Sequence, residues 1–179
     1  MKPVLAIFGL GNHGKAYEGT RHNAGFMALE KLAKEFGEGD WQDKQKFDGD
    51  ILEARIGIAP ILLVKPKTYM NLSADCVRKV VDFYKLDPTT QIVILSDDID
   101  IPLGELRFRA SGGPGTHNGL KSLVDVYGEA FPRIRIGLGE PPKKTDLSSW
   151  VLSKMTTEER IALQESFEEL PSMIREFIF

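Results

Sequence analysis

His22 is the side chain in this sequence best suited to acid–base chemistry, and it lies in a short polar connection that also holds Asn12. A neutral imidazole takes a proton readily near pH 7, and a carboxylate is needed to orient the ring and to stabilise the charge that develops. Asp97 and Asp98, which follow an apolar run, are the candidates for that carboxylate. The pattern indicates a general base with a carboxylate partner. A surface histidine with a local hydrogen bond is an equally open alternative.

The same connection begins with GLGNHG, residues 9–14, which matches the G-x-G-x-x-G pattern of dinucleotide-binding turns. That function requires a helix directly after the glycines and an acidic residue at the end of the next strand, about 20 residues on. Residues 15–21 show no apolar period, and Glu30 and Glu35, the acids at that distance, fall inside a predicted helix. A dinucleotide-dependent oxidoreductase is therefore an unfavoured alternative.

Other kinds of catalytic centre find little support in the sequence. Asp97, Asp98 and Asp100 could together bind a metal, but no further group with ligand spacing accompanies them, so we predict no metal site. No serine occupies a G-x-S-x-G turn, which leaves a serine nucleophile without support. Cys76, the single cysteine, lies on the apolar side of a predicted helix and is expected in the core.

The composition is that of an ordinary globular protein, with 42% apolar and 27% charged residues among 179. The formal net charge of −3 does not itself point to nucleic acid, although basic residues gather in the middle of the chain. One cysteine fits a reducing compartment, and the apolar run at 4–8 is too short for a signal peptide or a membrane span. We therefore expect a cytoplasmic location.

The elements that must hold these side chains are predicted from periodicity. Apolar or alternating runs predict strands at 4–8, 50–57, 61–64, 92–95, 106–109 and 134–138. Amphipathic spacing predicts helices at 23–36, 73–84, 120–127 and from 156 onwards. A hairpin turning near residues 59 and 60 interrupts the alternation of strands and helices. This favours a single α/β domain, residues 1–179, with a mixed twisted sheet surrounded by helices.

Polar residues at the predicted helix starts are expected to be N-caps, namely Asn23, Ser73 and Asn118, with a capping box formed by Thr156 and Glu159. The dipole of the first helix should disfavour the imidazolium of His22 and help to keep that ring neutral. Residues 40–49 are polar and expected to be a loop, and residues 140–150 are expected to form a mobile lid loop. Pro171 should break or kink the C-terminal helical segment, 156–179.

Five blocks of the sequence resemble one known family. They are GLGNHG with TRHNAGF, KPKTYMNLS, SDDIDIPLG, GGPGTHNGLKS and FPRIRIGLG. Taken in this order, from residue 8 to about residue 152, they closely resemble bacterial-type peptidyl-tRNA hydrolase. The resemblance implies that fold and an esterase that cleaves the bond between a peptide and the 3′ ribose of tRNA. It also implies no metal or organic cofactor, no obligate protein partner and a cytoplasmic monomer.

The resemblance further implies roles for individual residues. The family's catalytic histidine falls on His22, its partner aspartate on Asp97, and the asparagine beside the substrate ester on Asn12. Its tRNA-contacting positions and its second histidine fall on Tyr17, Tyr69, Asn71, Asn118 and His117. His13 stands where the family usually has proline, and the chain ends at Phe179, somewhat short of the family's usual tail.

These residues together predict a direct attack by water on the ester. Neutral His22 takes the proton, Asp97 steadies the imidazolium, and the amides of Asn12 and Asn71 hold the carbonyl or its oxyanion. Phosphates of the tRNA are expected to meet Arg107, Arg109, Lys121 and Arg135. A non-catalytic RNA-binding relative is the remaining alternative, but it would be expected to lack the catalytic set, which is present here.

Overall fold

Seven strands are found in the computed structural model, which describes residues 2–179. They are β1 (Leu5–Gly9), β2 (Gln42–Lys44), β3 (Gly49–Ile56), β4 (Ala59–Pro66), β5 (Ile92–Asp98), β6 (Leu106–Arg109) and β7 (Arg133–Gly137). In space they form one sheet in the order β2-β3-β4-β1-β5-β7-β6. The four central strands pair parallel, and antiparallel pairing adds β3, β2 and β6 at the edges. The predicted mixed α/β sheet is therefore confirmed.

The centre of the sheet follows from the apolar runs in the sequence. β1 is buried along its whole length and β5 along all but its last residue, as expected of parallel strands that are covered on both faces. The β3–β4 hairpin turns at Gly57 and Ile58, not at residues 59 and 60 as predicted. Gly57 has a φ of 62°, which glycine adopts without strain in a two-residue hairpin turn.

Helices cover both faces of the sheet. They are α1 (Ala24–Phe36), α2 (Ser73–Tyr84), α3 (Asn118–Tyr127), α4 (Leu147–Val151), α5 (Thr157–Ser166) and α6 (Leu170–Ile178). α1, α5 and α6 share one apolar core with the sheet, and α2 and α3 share the other. Within residues 2–179, no helix combines the length and the apolar character that a membrane span requires.

Two predicted loops contain regular structure. The segment 40–49 holds β2 and a 3-10 turn at Gln45–Phe47, and α4 occupies the end of the predicted lid loop, so that only residues 138–146 are irregular there. The predicted interruption of the C-terminal helix is confirmed. A 3-10 turn at Phe167–Glu169 separates α5 from α6, and Pro171 lies in the first turn of α6, where its missing N–H is not needed.

Three of the predicted capping hydrogen bonds do not form: Asn23 stands at the N-cap of α1 without capping it, and Leu72 and His117 occupy the N-cap positions predicted for Ser73 and Asn118. Asn23 binds the backbone of Asn12, and Ser73 Oγ donates to the carbonyl oxygen of Met70. His117, not Asn118, caps α3, since its Nδ1 accepts a hydrogen bond from the backbone N–H of Leu120. The capping box of Thr156 and Glu159 at the start of α5 is confirmed.

Candidate functional site

The predicted site residues gather at the carboxyl ends of the central strands. His22 lies in a 3-10 turn, Arg21–Asn23, directly before α1, and Asp97 is the penultimate residue of β5. The turn fits there because two glycines allow a close approach. A Cβ on Gly25 would lie 2.6 Å from the backbone of Leu10, and one on Gly9 would lie 2.3 Å from the carbonyl oxygen of Gly25. Close packing of the β1 loop on α1 thus accounts for the first glycine of GLGNHG.

His22 and His117 both contact one buried carboxylate. His22 Nδ1 lies 2.9 Å from Oδ2 of Asp97 and 3.1 Å from its Oδ1, and His117 Nε2 lies 2.9 Å from the same Oδ1. The two rings are 4.8 Å apart between centroids, and the side chain of Asp97 is only 3% exposed. The structure therefore joins the predicted His22–Asp97 pair and adds His117, whose link to Asp97 the sequence did not predict.

The hydrogen-bond partners assign the tautomers of the two rings. His117 Nδ1 accepts the N–H of Leu120, so the proton of the neutral ring lies on Nε2 and is donated to Asp97. His22 donates its Nδ1–H to Asp97, which leaves Nε2 of His22 with a free lone pair. Nε2 is therefore the atom of His22 that can accept a proton from a substrate or a water.

The pKa values of Asp97 and His22 are both shifted by their mutual contact. Burial would raise the pKa of Asp97, but the two histidines lower it well below its usual range, so the carboxylate stays ionised. Burial would lower the pKa of His22, yet the charge of Asp97 and its hydrogen bond outweigh burial and raise that pKa above 6.5. Burial acts in the direction predicted for the helix dipole, towards the neutral ring, but the charge and hydrogen bond of Asp97 together outweigh burial and favour the imidazolium.

Asn12 is held in place by three hydrogen bonds. Its Oδ1 accepts the N–H of Met70 at 2.7 Å, its own N–H donates to Asn23 Oδ1 at 2.8 Å, and its carbonyl oxygen accepts from Asn23 Nδ2 at 2.9 Å. Asn23 is the neighbour of His22, so it fixes the position of Asn12 relative to the imidazole. Among residues 2–179, Asn12 Nδ2 has no acceptor and remains free to donate.

An aromatic cluster, formed by His13, Tyr17 and Tyr69, follows Asn12. The ring of Tyr69 lies 4.5 Å from that of His13 and 6.2 Å from that of Tyr17, and Tyr69 is 47% exposed. The backbone of Tyr69 has a φ of 61°, a strained conformation for a residue with a side chain. The next residue, Met70, donates its N–H to Asn12 Oδ1, so the strained backbone of Tyr69 helps to hold Asn12 in place.

A cavity of about 450 Å³ opens on the other side of His22. Its walls are His22, Asp97 and His117, the glycine-rich loop 111–117, Asn118 at the start of α3, and the α4 residues Leu147, Ser148 and Val151. Among the residues to which the family resemblance assigned roles, four lie outside these walls: Asn12, Tyr17, Tyr69 and Asn71. Asn71 is exposed in the 3-10 turn Met70–Leu72. The catalytic candidates thus stand between a cavity and an aromatic surface.

The four predicted phosphate contacts fall into two groups. Arg109 and Arg135 line the cavity, and Arg135 Nε also binds Asp98 Oδ2 at 2.7 Å. Arg107, which is paired with Glu105, and the exposed Lys121 lie outside the cavity walls. Asp98 therefore binds Arg135 and not His22, which leaves Asp97 as the carboxylate partner of His22.

Arg133 is a buried residue of the cavity wall that the sequence did not single out. It is 1% exposed, and its guanidinium donates to the carbonyl oxygens of Gly112 at 2.8 Å and Glu129 at 2.7 Å while it stacks on the ring of Phe131. A buried arginine that binds carbonyls holds backbone in place, so it fixes the glycine-rich loop that lines the cavity. Alternation puts Arg133 on the face of β7 that carries Arg135, opposite Ile134 and Ile136, so the sequence pattern did not indicate that Arg133 is buried.

The cluster of two imidazoles and a carboxylate is also a donor set that divalent metals use. His22, Asp97 and His117 each offer one ligand atom within 4.8 Å of the others. Here, however, the N–H groups of both rings point at the oxygens of Asp97. A cation would need both rings to release those protons and turn lone pairs inward, so the arrangement fits a hydrogen-bonded group better than a metal centre.

Comparison with known proteins gives one consistent result. Residues 6–179 match the family model described as peptidyl-tRNA hydrolase. The chain is 48% identical to the peptidyl-tRNA hydrolase of Alkaliphilus metalliredigens over 92% of this chain and 88% of that protein. It is 42% identical to that of Bacillus subtilis over 93% and 87%. The crystal structure of peptidyl-tRNA hydrolase from Acinetobacter baumannii superposes with a TM-score of 0.91 at 35% identity, covering 99% of this chain and 90% of that one.

Proposed function

The chain belongs to the peptidyl-tRNA hydrolase family, and we propose that it hydrolyses peptidyl-tRNA with His22 as the general base and Asp97 as its carboxylate partner. The observation that carries the proposal is the hydrogen bond of 2.9 Å between His22 Nδ1 and Asp97, which leaves Nε2 basic. His22 also lines the cavity, so the water to be activated has room beside the ring.

In the proposed step, His22 Nε2 takes a proton from a water whose oxygen attacks the carbonyl carbon of the ester. The tetrahedral intermediate collapses by breaking the bond between that carbon and the 3′ oxygen of the ribose. The imidazolium then returns its proton to the leaving oxygen, which gives a peptide with a free carboxyl group and a tRNA with a free 3′ hydroxyl. Asp97 stays ionised throughout, which its lowered pKa supports.

Asn12 is the better candidate of the two asparagines predicted to hold the carbonyl. Its Oδ1 and its backbone are already bonded to Met70 and Asn23, so its Nδ2 is a preorganised donor. One such donor stabilises an oxyanion by about 3 kcal/mol. Asn71, exposed in its turn, suits a contact that forms only when substrate binds, and Asn118 can act from the cavity wall.

We propose that the RNA is bound by the aromatic cluster and by cationic side chains. Tyr69 presents an exposed ring for base stacking, and Arg109 and Arg135 offer charges at the cavity for phosphates. Binding should then weaken as salt rises, and Arg109→Gln should reduce the slope of log K against log salt by about 1. Lys34→Gln, at the far end of α1 from His22, is the matched control and should leave the slope unchanged. If Arg109→Gln gave the same slope as the wild type, a phosphate contact of Arg109 would be ruled out.

Hydrolysis of an N-acetyl-aminoacyl-tRNA tests the catalytic assignment. His22→Ala should lower turnover by roughly 10²- to 10⁴-fold, with substrate affinity nearly unchanged. The control is Lys34→Ala, which changes an exposed residue in the last turn of α1, far from His22, and should leave turnover unchanged. A chelator should leave the rate of the wild type unchanged. A His22→Ala protein with a tenth of the normal activity would contradict the assignment.

The remaining parts of the proposal concern the setting of the enzyme. We propose that residues 1–179 act as one domain, and that the protein works in the cytoplasm as a monomer without an obligate partner. We also propose that residues 138–146, which join β7 to α4, act as a lid over the cavity. Light scattering on the purified protein checks the monomer, since a mass near twice 20.0 kDa would contradict it.

A further inference from the structure

The residue before the general base makes an extensive set of contacts that the hydrolytic step does not use. Arg21 is 8% exposed, and its Nε and one terminal nitrogen bind the two carboxylate oxygens of Glu159 at 2.8 Å each. Its other terminal nitrogen donates to the carbonyl oxygen of Trp150 at 3.1 Å and to Ser153 Oγ. The guanidinium also lies over the ring of Trp150, 4.4 Å from its centroid. One side chain thus joins the turn of His22 to a segment more than a hundred residues away.

The backbone reinforces this junction. Arg21 N–H donates to the carbonyl oxygen of Ser153 at 3.1 Å, and Met155 N–H donates to that of Gly19 at 2.9 Å. Thr20 and Lys154 form an isolated antiparallel bridge between these two bonds. The segment 150–159 is therefore fastened to the turn of His22 by both main chain and side chain.

The segment 150–159 includes Trp150 and Val151 of α4, a helix that forms part of the cavity wall. Trp150 is the fourth residue of α4, the helix whose Leu147, Ser148 and Val151 line the cavity beside His22. His22 itself follows Arg21 in a three-residue 3-10 turn, so a displacement of Arg21 moves the imidazole. The distance from the basic nitrogen of His22 to this wall therefore depends on Arg21.

We propose that Arg21 is a positioning residue for the reaction: through Glu159 and Trp150 it sets His22 and the α4 wall of the cavity in a fixed relation. This inference rests on the proposed function, because it assigns Arg21 a role in that reaction. Arginine is required because its planar fork binds Glu159 with two parallel bonds while its face stacks on Trp150. A lysine would keep the charge but lose the fork and the stack.

Steady-state hydrolysis of an N-acetyl-aminoacyl-tRNA separates this role from a contribution to stability alone. Arg21→Met should lower kcat by roughly 10- to 100-fold, as expected when a reacting group is misplaced by about 1 Å, and should leave KM within about twofold. Glu159→Ala should act in the same direction. Glu159→Gln should recover part of the loss, because its oxygen can still accept from a terminal nitrogen of Arg21 and from Thr156 N–H, whereas its N–H₂ faces the Nε–H of Arg21 and cannot bond to it.

Thr156→Ala is the matched control for stability. It removes the hydroxyl that caps α5 through the N–H of Glu159, yet it leaves the contacts of Arg21 in place. It should lower the melting temperature and leave kcat unchanged. If Arg21→Met does not fold, Glu159→Ala carries the test, because Arg21 then keeps its bonds to Trp150 and Ser153. A Thr156→Ala protein that loses kcat as much as the Arg21 variant does would overturn the proposal.

Proton NMR of the imidazoles gives a readout that needs no turnover. His22 Nδ1–H, bonded to Asp97, should give a downfield resonance in the wild type and in Thr156→Ala, and it should be shifted or broadened in Arg21→Met and Glu159→Ala. An unchanged resonance together with unchanged kcat would overturn the positioning role. An inactive wild type with a resonance that responds to Arg21 would instead contradict the proposed function and leave the structural link standing.

Discussion

Replacing Asp97 with asparagine puts an N–H₂ group where two N–H donors now find a carboxylate. In the wild type, His117 Nε2 lies 2.9 Å from Oδ1, and His22 Nδ1 lies 2.9 Å from Oδ2. The oxygen of the asparagine can replace Oδ1 and satisfy His117, but its N–H₂ then faces the Nδ1–H of His22. Two donors cannot bond, so His22 must change to the tautomer with its proton on Nε2. Its basic nitrogen then faces the amide and not the water.

We therefore expect Asp97→Asn to lower turnover by roughly 10³- to 10⁴-fold, the scale measured when a buried aspartate that holds a catalytic histidine is changed in this way. At 1.36 kcal/mol for each tenfold, this is about 4 to 5.5 kcal/mol of lost transition-state stabilisation. Asp98→Asn is the matched control. Its carboxylate binds Arg135 and makes no contact with either histidine in the described residues, so catalysis should keep most of its rate.

The assay is single-turnover hydrolysis of an N-acetyl-aminoacyl-tRNA with enzyme in excess, so that product release does not mask the chemical step. Filter binding of the same substrate to both variants should give affinities close to that of the wild type. A folded Asp97→Asn protein that keeps more than about a tenth of the wild-type rate would show that the tautomer of His22 does not control the reaction.

Three further predictions concern the pH dependence and two backbone positions. The rate should rise with pH with a midpoint above 6.5, because the pKa of His22 is raised and only its neutral form is basic; a pH–rate profile of the single-turnover step measures this, and a midpoint at or below 6.5 would count against it. Tyr69→Gly should be more stable than Tyr69→Ala by about 1 to 3 kcal/mol, because only alanine keeps the strain of the positive φ. Urea unfolding compares the two, and equal stabilities would mean that the strain is absent. Gly25→Ala should lower the free energy of unfolding by about 1 to 3 kcal/mol, because its Cβ would lie 2.6 Å from the Leu10 backbone; Gly113→Ala, with 3.4 Å of clearance, should be tolerated, and equal losses would refute the packing argument.

Strands with a continuous apolar pattern could be predicted from the sequence, and those without one could not. β6 was predicted with its observed bounds, and the central strands lie within a few residues of the prediction. β2 was missed because all three of its residues are exposed and polar, so no side-chain pattern marks it. It exists only because β3 offers it a backbone edge.

The site was predictable as far as the chemistry of single side chains allows. The needs of a general base left Asp97 and Asp98 as candidates and the family resemblance implied Asp97, which is the residue that the structure brings to His22. The cap on α3 was assigned to Asn118 because histidine is seldom considered a cap, whereas His117 offers Nδ1 as the acceptor. The partner of Arg21 is Glu159, 138 residues away, and no local pattern connects them.

The glycine-rich loop has a consequence for compounds that would occupy the cavity. Residues 112–115 in this wall are three glycines and one proline, and the guanidinium of Arg133 holds the loop through the carbonyl of Gly112. An inhibitor that bonds to the peptide groups of this loop meets atoms that every amino acid shares. Resistance would have to arise by displacing the main chain itself, as a substitution of Gly115 would do, because its φ of 56° strains a residue with a side chain.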